Sequence, residues 1–410
     1  MLRILDISEA RELFTRKSVR LAEAEQTVAP ILDDVRRRGD EALIEYARRF
    51  DRLELKHVRV SAAGFPENLA PHFLRAIETA ANNIRAYAEM QLPREKWTDC
   101  GDGRRLGQIV RPLESMGAYI PAGRYPLPST LLMTVIPAQV AGVRTICVAS
   151  PNPSVEILGA ARWLGVDNVF RIGGAQAIAA MAFGTASVPK VDRIVGPGNI
   201  YVAAAKKLLA GEVGIDFVAG PTEIVIIAAE GDARWIAADM LAQAEHDVEA
   251  SAVLLTTSRQ LAERVAAEVA RQLETLPTAS VAAEAIRANS AAVLVRSLEE
   301  AVEASNRLAP EHLALHDPSL LPEIQHAGSV FLGPMSTEAA GDYASGPNHV
   351  LPTSGVARIR GGLSSADFVK IISVQALTPD GIAALAPAVT TLARAEGLEA
   401  HARSMEVRLG

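Results

Sequence analysis

The stretch Glu223-Ile-Val-Ile-Ile-Ala-Ala229, answered further along by Ala252-Val-Leu-Leu-Thr-Thr257 and Ala292-Val-Leu-Val295, sets the fold class. Each is a short run rich in branched apolar residues, and helical stretches separate them. This is the rhythm of βαβ units around a parallel sheet. Between the last two runs, Leu261, Val265, Val269 and Leu273 recur four apart in a segment otherwise rich in Glu and Arg, the stripe of a half-buried helix. The same rhythm appears earlier, in Arg144-Thr-Ile-Cys-Val-Ala149, a helical stretch to Leu164, Asn168-Val-Phe-Arg-Ile172, a second helix, and Arg193-Ile-Val195. The expected fold class is α/β, with two Rossmann-like doubly wound modules built on parallel sheets. Residues 1–117 and 221–363 are assigned to a first α/β domain and 118–220 to an inserted second one. The first hundred residues read mostly as amphipathic helix, with Val28, Ile31, Leu32 and Val35 on one face and Arg36, Arg37 and Arg38 on a solvated one. From about Ser364 to residue 410 the chain reads as a helical tail without a sheet pattern. Gly196-Pro197-Gly198 and Gly220-Pro221 mark tight turns near strand ends, where open α/β sheets gather their ligands at the carboxyl edge.

Composition excludes several classes of function. A formal net charge of -7, spread along 410 residues without a basic stripe, argues against nucleic acid or an anionic membrane surface and for a small-molecule partner. Cys100 and Cys147 are the only cysteines, too few for a disulfide framework or a thiolate metal cage, in keeping with a reducing compartment. Met1 to Arg20 mixes basic and acidic residues, so no signal peptide is read there, and the apolar stretch Leu131–Val143 is cut by Pro137 and Gln139. A cytoplasmic location is the expectation.

Six polar residues in the last two-fifths of the chain narrow the chemistry. Gln243, His246, Asp342 and His401 form a nitrogen and oxygen set of the kind a borderline divalent cation such as zinc accepts. Gln243 and His246 stand three apart in a helical pattern, which puts them on one face. Taken alone, that pair also reads as hydrogen bonding at a helix end, Asp342 as a turn-former and His401 as a surface histidine. Glu311 and His312 place two proton-transfer groups side by side after Pro310, whose ring disfavours helix at Ala309 and so puts the pair on a loop or strand edge.

Seven ordered segments carry a resemblance: Gly173-Gly-Ala-Gln-Ala, Val195-Gly-Pro-Gly-Asn-Ile-Tyr-Val, Ala219-Gly-Pro-Thr-Glu, Ala242-Gln-Ala-Glu-His-Asp247, Ala309-Pro-Glu-His-Leu313, Gly341-Asp-Tyr-Ala-Ser-Gly-Pro-Asn-His-Val-Leu-Pro-Thr353 and Glu396-Gly-Leu-Glu-Ala-His401. In order and spacing the chain resembles the histidinol dehydrogenase family over essentially its whole length. The resemblance implies a homodimer in which Gln243, His246 and Asp342 bind one zinc per subunit, while His401 completes the site from a tail that crosses over. It implies that His312 is the base for the alcohol of L-histidinol, that Glu311 activates water for the aldehyde step, and that two NAD+ are reduced. It further implies NAD contacts at Tyr119, Gln176 and Asn199 and substrate contacts at Thr222 and Glu396 as well as at the metal ligands and His312. NAD is not read from a fingerprint, because no G-x-G-x-x-G follows a strand.

The chain departs from the family pattern at Thr222, where Ser is usual, at Ala122, in Arg124-Tyr-Pro-Leu-Pro128 and at Ala314. The competing readings are a zinc and NAD dehydrogenase acting on another small alcohol such as a sulfonated propanediol, a metal hydrolase with Glu311 as base, and a non-catalytic α/β binding protein.

Overall fold

The computed structural model describes residues 1–10, 13, 21–54, 56–122, 125–218 and 220–410. Among these, fourteen strands form: β1 (Arg3–Asp6), β2 (Lys96–Asp99), β3 (Arg104–Pro112), β4 (Ser115–Tyr119), β5 (Thr145–Ala149), β6 (Asn168–Phe170), β7 (Arg193–Val195), β8 (Gly214–Ile215), β9 (Glu223–Ile227), β10 (Ser251–Thr256), β11 (Ala291–Leu294), β12 (His312–Leu315), β13 (Ser329–Leu332) and β14 (Val369–Leu377).

The runs that set the fold class become central strands, because residues apolar on both faces must be covered by helices on both sides. One sheet has the order β1-β11-β10-β9-β12-β13 and the other β6-β5-β4-β7-β8, and every pairing in both is parallel. Setting aside the edge strand β1, each sheet runs third, second, first, fourth, fifth among its own strands, so the two modules repeat one topology. The chain changes direction beside β9 in one sheet and beside β4 in the other. On the β9 sheet, the helices Ala233–Ala244, Arg259–Leu273 and Ala279–Asn289 cover one face and Leu298–Leu308 the other. Leu261, Val265 and Val269 are buried as the four-residue spacing requires. On the β4 sheet, Ile77, Ile84, Leu131 and Ile136 pack on one side and Val28, Leu32, Ile178 and Val202 on the other.

Three expectations are corrected. Residues 1–117 do not all belong with 221–363: β1 pairs with β11, but the helices Leu21–Arg38, Asp40–Asp51 and Pro71–Gln91 pack on the other sheet. The tail is not purely helical. Val369–Leu377 is a nine-residue strand that pairs antiparallel with β3 in a separate sheet of order β14-β3-β2, and only then do the helices Pro379–Ala395 and Glu399–Glu406 follow. Its side chains meet partners some 260 residues earlier in the sequence (Ile371 opposite Val110), a long-range pairing that local periodicity does not register. Finally, Gly196-Pro197-Gly198 follows β7 at its carboxyl end, but Gly220-Pro221 precedes β9 and so lies at the opposite, amino rim. Gly196 itself requires a missing side chain: its φ is +110°, and a Cβ there would stand 2.2 Å from the carbonyl oxygen of Tyr119. Of the segments singled out from the sequence, Gly123, Arg124 and Ala219 lie outside the described residues.

Candidate active site

The candidate residues gather where β9 and β12 begin. The helix Leu298–Leu308 stops at Ala309, which takes a left-handed conformation (φ 51°, ψ 65°) because the following Pro310 disfavours continued helix. Glu311 then enters the sheet and His312 is the first residue of β12, beside Ile224 of β9. Both are buried, at 6% and 3% exposure. The helix Ala233–Ala244 returns to the same rim and brings Gln243, fully buried, with His246 just past its end. A short helix, Glu338–Tyr343, adds Glu338 and, one turn later, Asp342.

Glu311 is held by its Oε2, which accepts from Thr222 Oγ1 at 2.5 Å and from the backbone N–H of Glu223 at 3.1 Å. Burial raises its carboxyl pKa above the usual range, against the pull of His312 and those two donors. The Thr222 hydroxyl is thereby engaged with protein groups, and its oxygen also lies 2.6 Å from the Gln243 amide. His312 Nδ1 is ringed by acceptors: the carbonyl of Glu223 at 3.3 Å, Glu338 Oε1 at 3.6 Å and Glu311 Oε2 at 3.7 Å. Its Nε2 lies 3.7 Å from Asp342 Oδ1 and is buried without a hydrogen-bond partner. Burial pulls the imidazole pKa down, but Glu338, Glu311 and Asp342 together outweigh it and raise it. Phe331 leans on the ring, with centroids 5.9 Å apart. Gly341 leaves room for it, since a Cβ there would stand 2.6 Å from the Phe331 ring.

The amide of Gln243 has two self-consistent orientations. With its NH2 toward Glu338 it donates to Oε1 at 2.6 Å and approaches His312 Nδ1 at 3.1 Å, while its oxygen faces Thr222. In the opposite orientation Nε2 donates to Thr222 Oγ1, Thr222 donates to Glu311, and the amide oxygen accepts from His312 Nδ1–H and from a protonated Glu338. The second arrangement satisfies every group with Glu311 ionised. It requires a neutral Glu338, and burial favours that form by raising the Glu338 pKa.

The residues fit a divalent cation. His246 Nδ1 donates to the carbonyl of Ala242 at 2.9 Å, which leaves its Nε2 lone pair facing Asp342 Oδ2 at 3.9 Å. Two electron-rich atoms facing one another are satisfied by a metal between them, and a backbone carbonyl on the far ring nitrogen is the usual support of a metal-bound histidine. Two ligands on one tetrahedral zinc stand about 3.4 Å apart. His312, Glu338 and Asp342 also bring ligand atoms within 4.8 Å of one another, so Asp342 is common to both groupings.

The structure therefore unites Thr222, Gln243, His246, Glu311, His312 and Asp342. His401 and Glu396 are exposed on the tail, and no contact joins either to this cluster among the described residues. Glu338 and His349 belong to the site but were not singled out. The only signal for Glu338 is its spacing of four from Asp342; for His349 it is membership of the Gly341–Thr353 stretch. His349 Nδ1 donates to the carbonyl of Asp342 at 2.6 Å, and its Nε2 meets Thr130 Oγ1 at 3.1 Å on the helix Pro128–Ala141 of the other module. Asn348 Nδ2 donates to Met133 on the same helix at 2.6 Å.

The expected nucleotide contacts lie in that module, at the carboxyl ends of its strands. Tyr119 ends β4 and its hydroxyl accepts from Gly174 N at 3.2 Å; Gln176 donates to Asp51 at 3.0 Å; Asn199 caps the helix Ile200–Leu209 after β7. The place beside β4, where the strand order reverses, is where an open sheet of this kind takes a nucleotide. The Asp51 carboxylate already accepts from Gly173 N at 2.8 Å, so the amino end of the helix Gly174–Phe183 is filled by the chain's own anion. Of the departures, Ala314 is buried within β12 and Ala122 bridges to Pro126.

Known proteins match this arrangement. The family model for histidinol dehydrogenase covers residues 14–409. A histidinol dehydrogenase of Bacillus cereus is 48% identical over 399 residues, spanning 94% of this chain and 92% of that one, and one of Geobacter metallireducens is 48% identical over 402 residues with the same coverage. The crystal structure of histidinol dehydrogenase from Elizabethkingia anophelis superposes with a TM-score of 0.95 at 38% identity, covering 100% of this chain and 98% of that one. An acetylating aldehyde dehydrogenase from Geobacillus thermoglucosidasius, at 14% identity and a TM-score of 0.52 over 91% of this chain and 97% of its own, shares the fold alone. With its buried Glu311-His312 pair beside Asp342 and His246, the chain belongs to the histidinol dehydrogenase family.

Proposed function

We propose that the protein oxidises L-histidinol to L-histidine in two NAD-linked steps, with the aldehyde retained between them, as the last step of histidine biosynthesis. The observation that carries this reading is the buried, unpartnered Nε2 of His312 beside the facing Asp342 and His246. Zinc held by Gln243, His246, Asp342 and His401 of the partner subunit would grip the imidazole and amino nitrogens of the substrate, and bound NAD+ would accept the hydrides.

The chain's own residues do the rest. His312 Nε2 takes the hydroxyl proton of the alcohol as hydride leaves the same carbon, giving the aldehyde. A divalent cation held by Asp342 would offset the pull of that carboxylate on the imidazole and so favour the neutral base. Glu311, ionised and anchored by Thr222 and Glu223 N, takes a proton from the water that adds to the aldehyde carbon. The resulting hydrate gives up a second hydride and a hydroxyl proton to leave the carboxylic acid, which ionises to the carboxylate. Burial of Gln243, Glu311 and His312 keeps bulk water from the aldehyde.

A homodimer with shared sites is supported by the tail, where Glu396 and His401 face outward beside exposed Leu392, Leu398 and Val407, and by Ile371 and Ile372 on β14. No helix among the described residues is long and apolar enough to cross a membrane, which agrees with the proposed cytoplasmic setting.

The test is an absorbance assay with L-histidinol and NAD+, with and without a zinc chelator. Two NADH per histidinol, abolished by chelation and restored by Zn2+, is the expected result. No NADH from L-histidinol, or NADH from another small alcohol alone, overturns the assignment.

A further inference from the structure

We propose that Asp51 is a positioning residue of the nucleotide site: its carboxylate fixes the Gln176 amide so that Oε1, and not the NH2, faces a bound cofactor. The proposal rests on the reading of Gln176 as a cofactor contact. Asp51 ends the helix Asp40–Asp51, and its Oδ2 accepts from both Gly173 N at 2.8 Å and Gln176 Nε2 at 3.0 Å. Because one oxygen takes both bonds, it faces donors only, and the NH2 is the donor that a glutamine side chain has to give. Oε1 is thereby turned the other way.

Gln176 is 1% exposed, yet its Oε1 accepts no hydrogen bond among the described residues. Buried amide oxygens are ordinarily satisfied, so this one calls for a donor from outside the chain. Tyr119, 4% exposed, is left in the complementary state: its hydroxyl oxygen accepts from Gly174 N at 3.2 Å, and its own hydrogen has no acceptor among the described residues. Both side chains border the start of the helix Gly174–Phe183, beside β4 where the strand order reverses. One free acceptor and one free O–H donor suit the hydroxyl and carboxamide groups of a dinucleotide rather than its phosphates, which the Asp51 charge repels. Without that carboxylate nothing holds the amide in this orientation, and either end can turn outward.

The experiment compares D51A, which removes the acceptor, with D51N, whose amide oxygen can still accept from Gly173 N and Gln176. NAD+ is titrated calorimetrically into the zinc-loaded enzyme, and its KM is measured at saturating L-histidinol. D51A is expected to weaken NAD+ binding about tenfold with KM for L-histidinol and zinc content unchanged, while D51N stays within about threefold of the parent. Q176L should weaken NAD+ binding to a similar degree, and adding D51A to it should cause no further loss, since Asp51 acts through Gln176. If D51A does not fold, D51S, one bond too short to reach Gln176 as the carboxylate does, takes its place in the same cycle. Parent-like NAD+ affinity in D51A, equal damage in D51N, an equally deep further loss in the Q176L background, or a fall in bound zinc would each overturn the proposal. Parent-like NAD+ affinity in Q176L itself would instead overturn the reading of Gln176 as a cofactor contact.

Discussion

Replacing Lys206 with Met would leave a buried carboxylate without its cation. The Lys206 and Asp216 side chains are 3% and 0% exposed and meet at 2.6 Å. Breaking one side of such a pair costs about 3–5 kcal/mol. Asp216 keeps two other donors, Gly196 N at 2.8 Å and Phe217 N at 2.7 Å, which argues for the lower end of that range. Lys206 Nζ also donates to Gly196 O at 2.5 Å, and orphaning that carbonyl adds roughly 1 kcal/mol. The expected loss is therefore about 4 kcal/mol, or on the order of 8–16 °C in the melting of this module. Both partners hold Gly196 at the end of β7, so KM for NAD+ should rise as the turn before Asn199 loosens. Guanidinium and thermal unfolding read the stability, and initial rates read the cofactor. The double variant K206M/D216N removes the stranded charge yet keeps an acceptor, and should regain part of the loss. A single variant within about 1 kcal/mol of the parent, or a double variant worse than the single, would refute the reasoning.

Three further outcomes are expected. In stopped-flow assays H312N should suppress the first hydride transfer, whereas E311Q should spare alcohol oxidation relative to aldehyde oxidation; equal loss of both steps contradicts the separate roles. Mixed dimers of an H401A subunit with a D342N subunit should recover part of the activity, because one site of the pair is then intact, and confirmed heterodimers without recovery would favour a site built within one chain. Burial raises the Asp51 carboxyl pKa above its unfolded value, against the hydrogen bonds from Gly173 and Gln176, so the folded chain binds that proton more tightly. This group's contribution to stability is lost as pH rises through the folded pKa, and D51N should flatten that slope; parallel urea stability curves for D51N and parent between pH 4 and 7 would contradict it.

Much of the architecture was readable because runs such as Arg193-Ile-Val195 and Glu223-Ile-Val-Ile-Ile227 are apolar on both faces and bounded by Gly and Pro. β3 was not, because Arg104-Arg-Leu-Gly-Gln-Ile-Val-Arg-Pro112 lies in a half-exposed antiparallel sheet and keeps its charges. Nor does local sequence reveal at which rim of a sheet a pocket forms. Glu311 and His312 were legible as a pair of proton-transfer groups. Glu338 was not, since an acid early in a short helix ordinarily faces water, and its burial follows from how that helix docks against His312.

His349 and Asn348 fasten the stretch that bears Asp342 to the helix Pro128–Ala141. A breathing motion between the modules has to bend or break these bonds, so on the proposed reading the retention of a reactive aldehyde would be a matter of mechanical stiffness as much as of affinity.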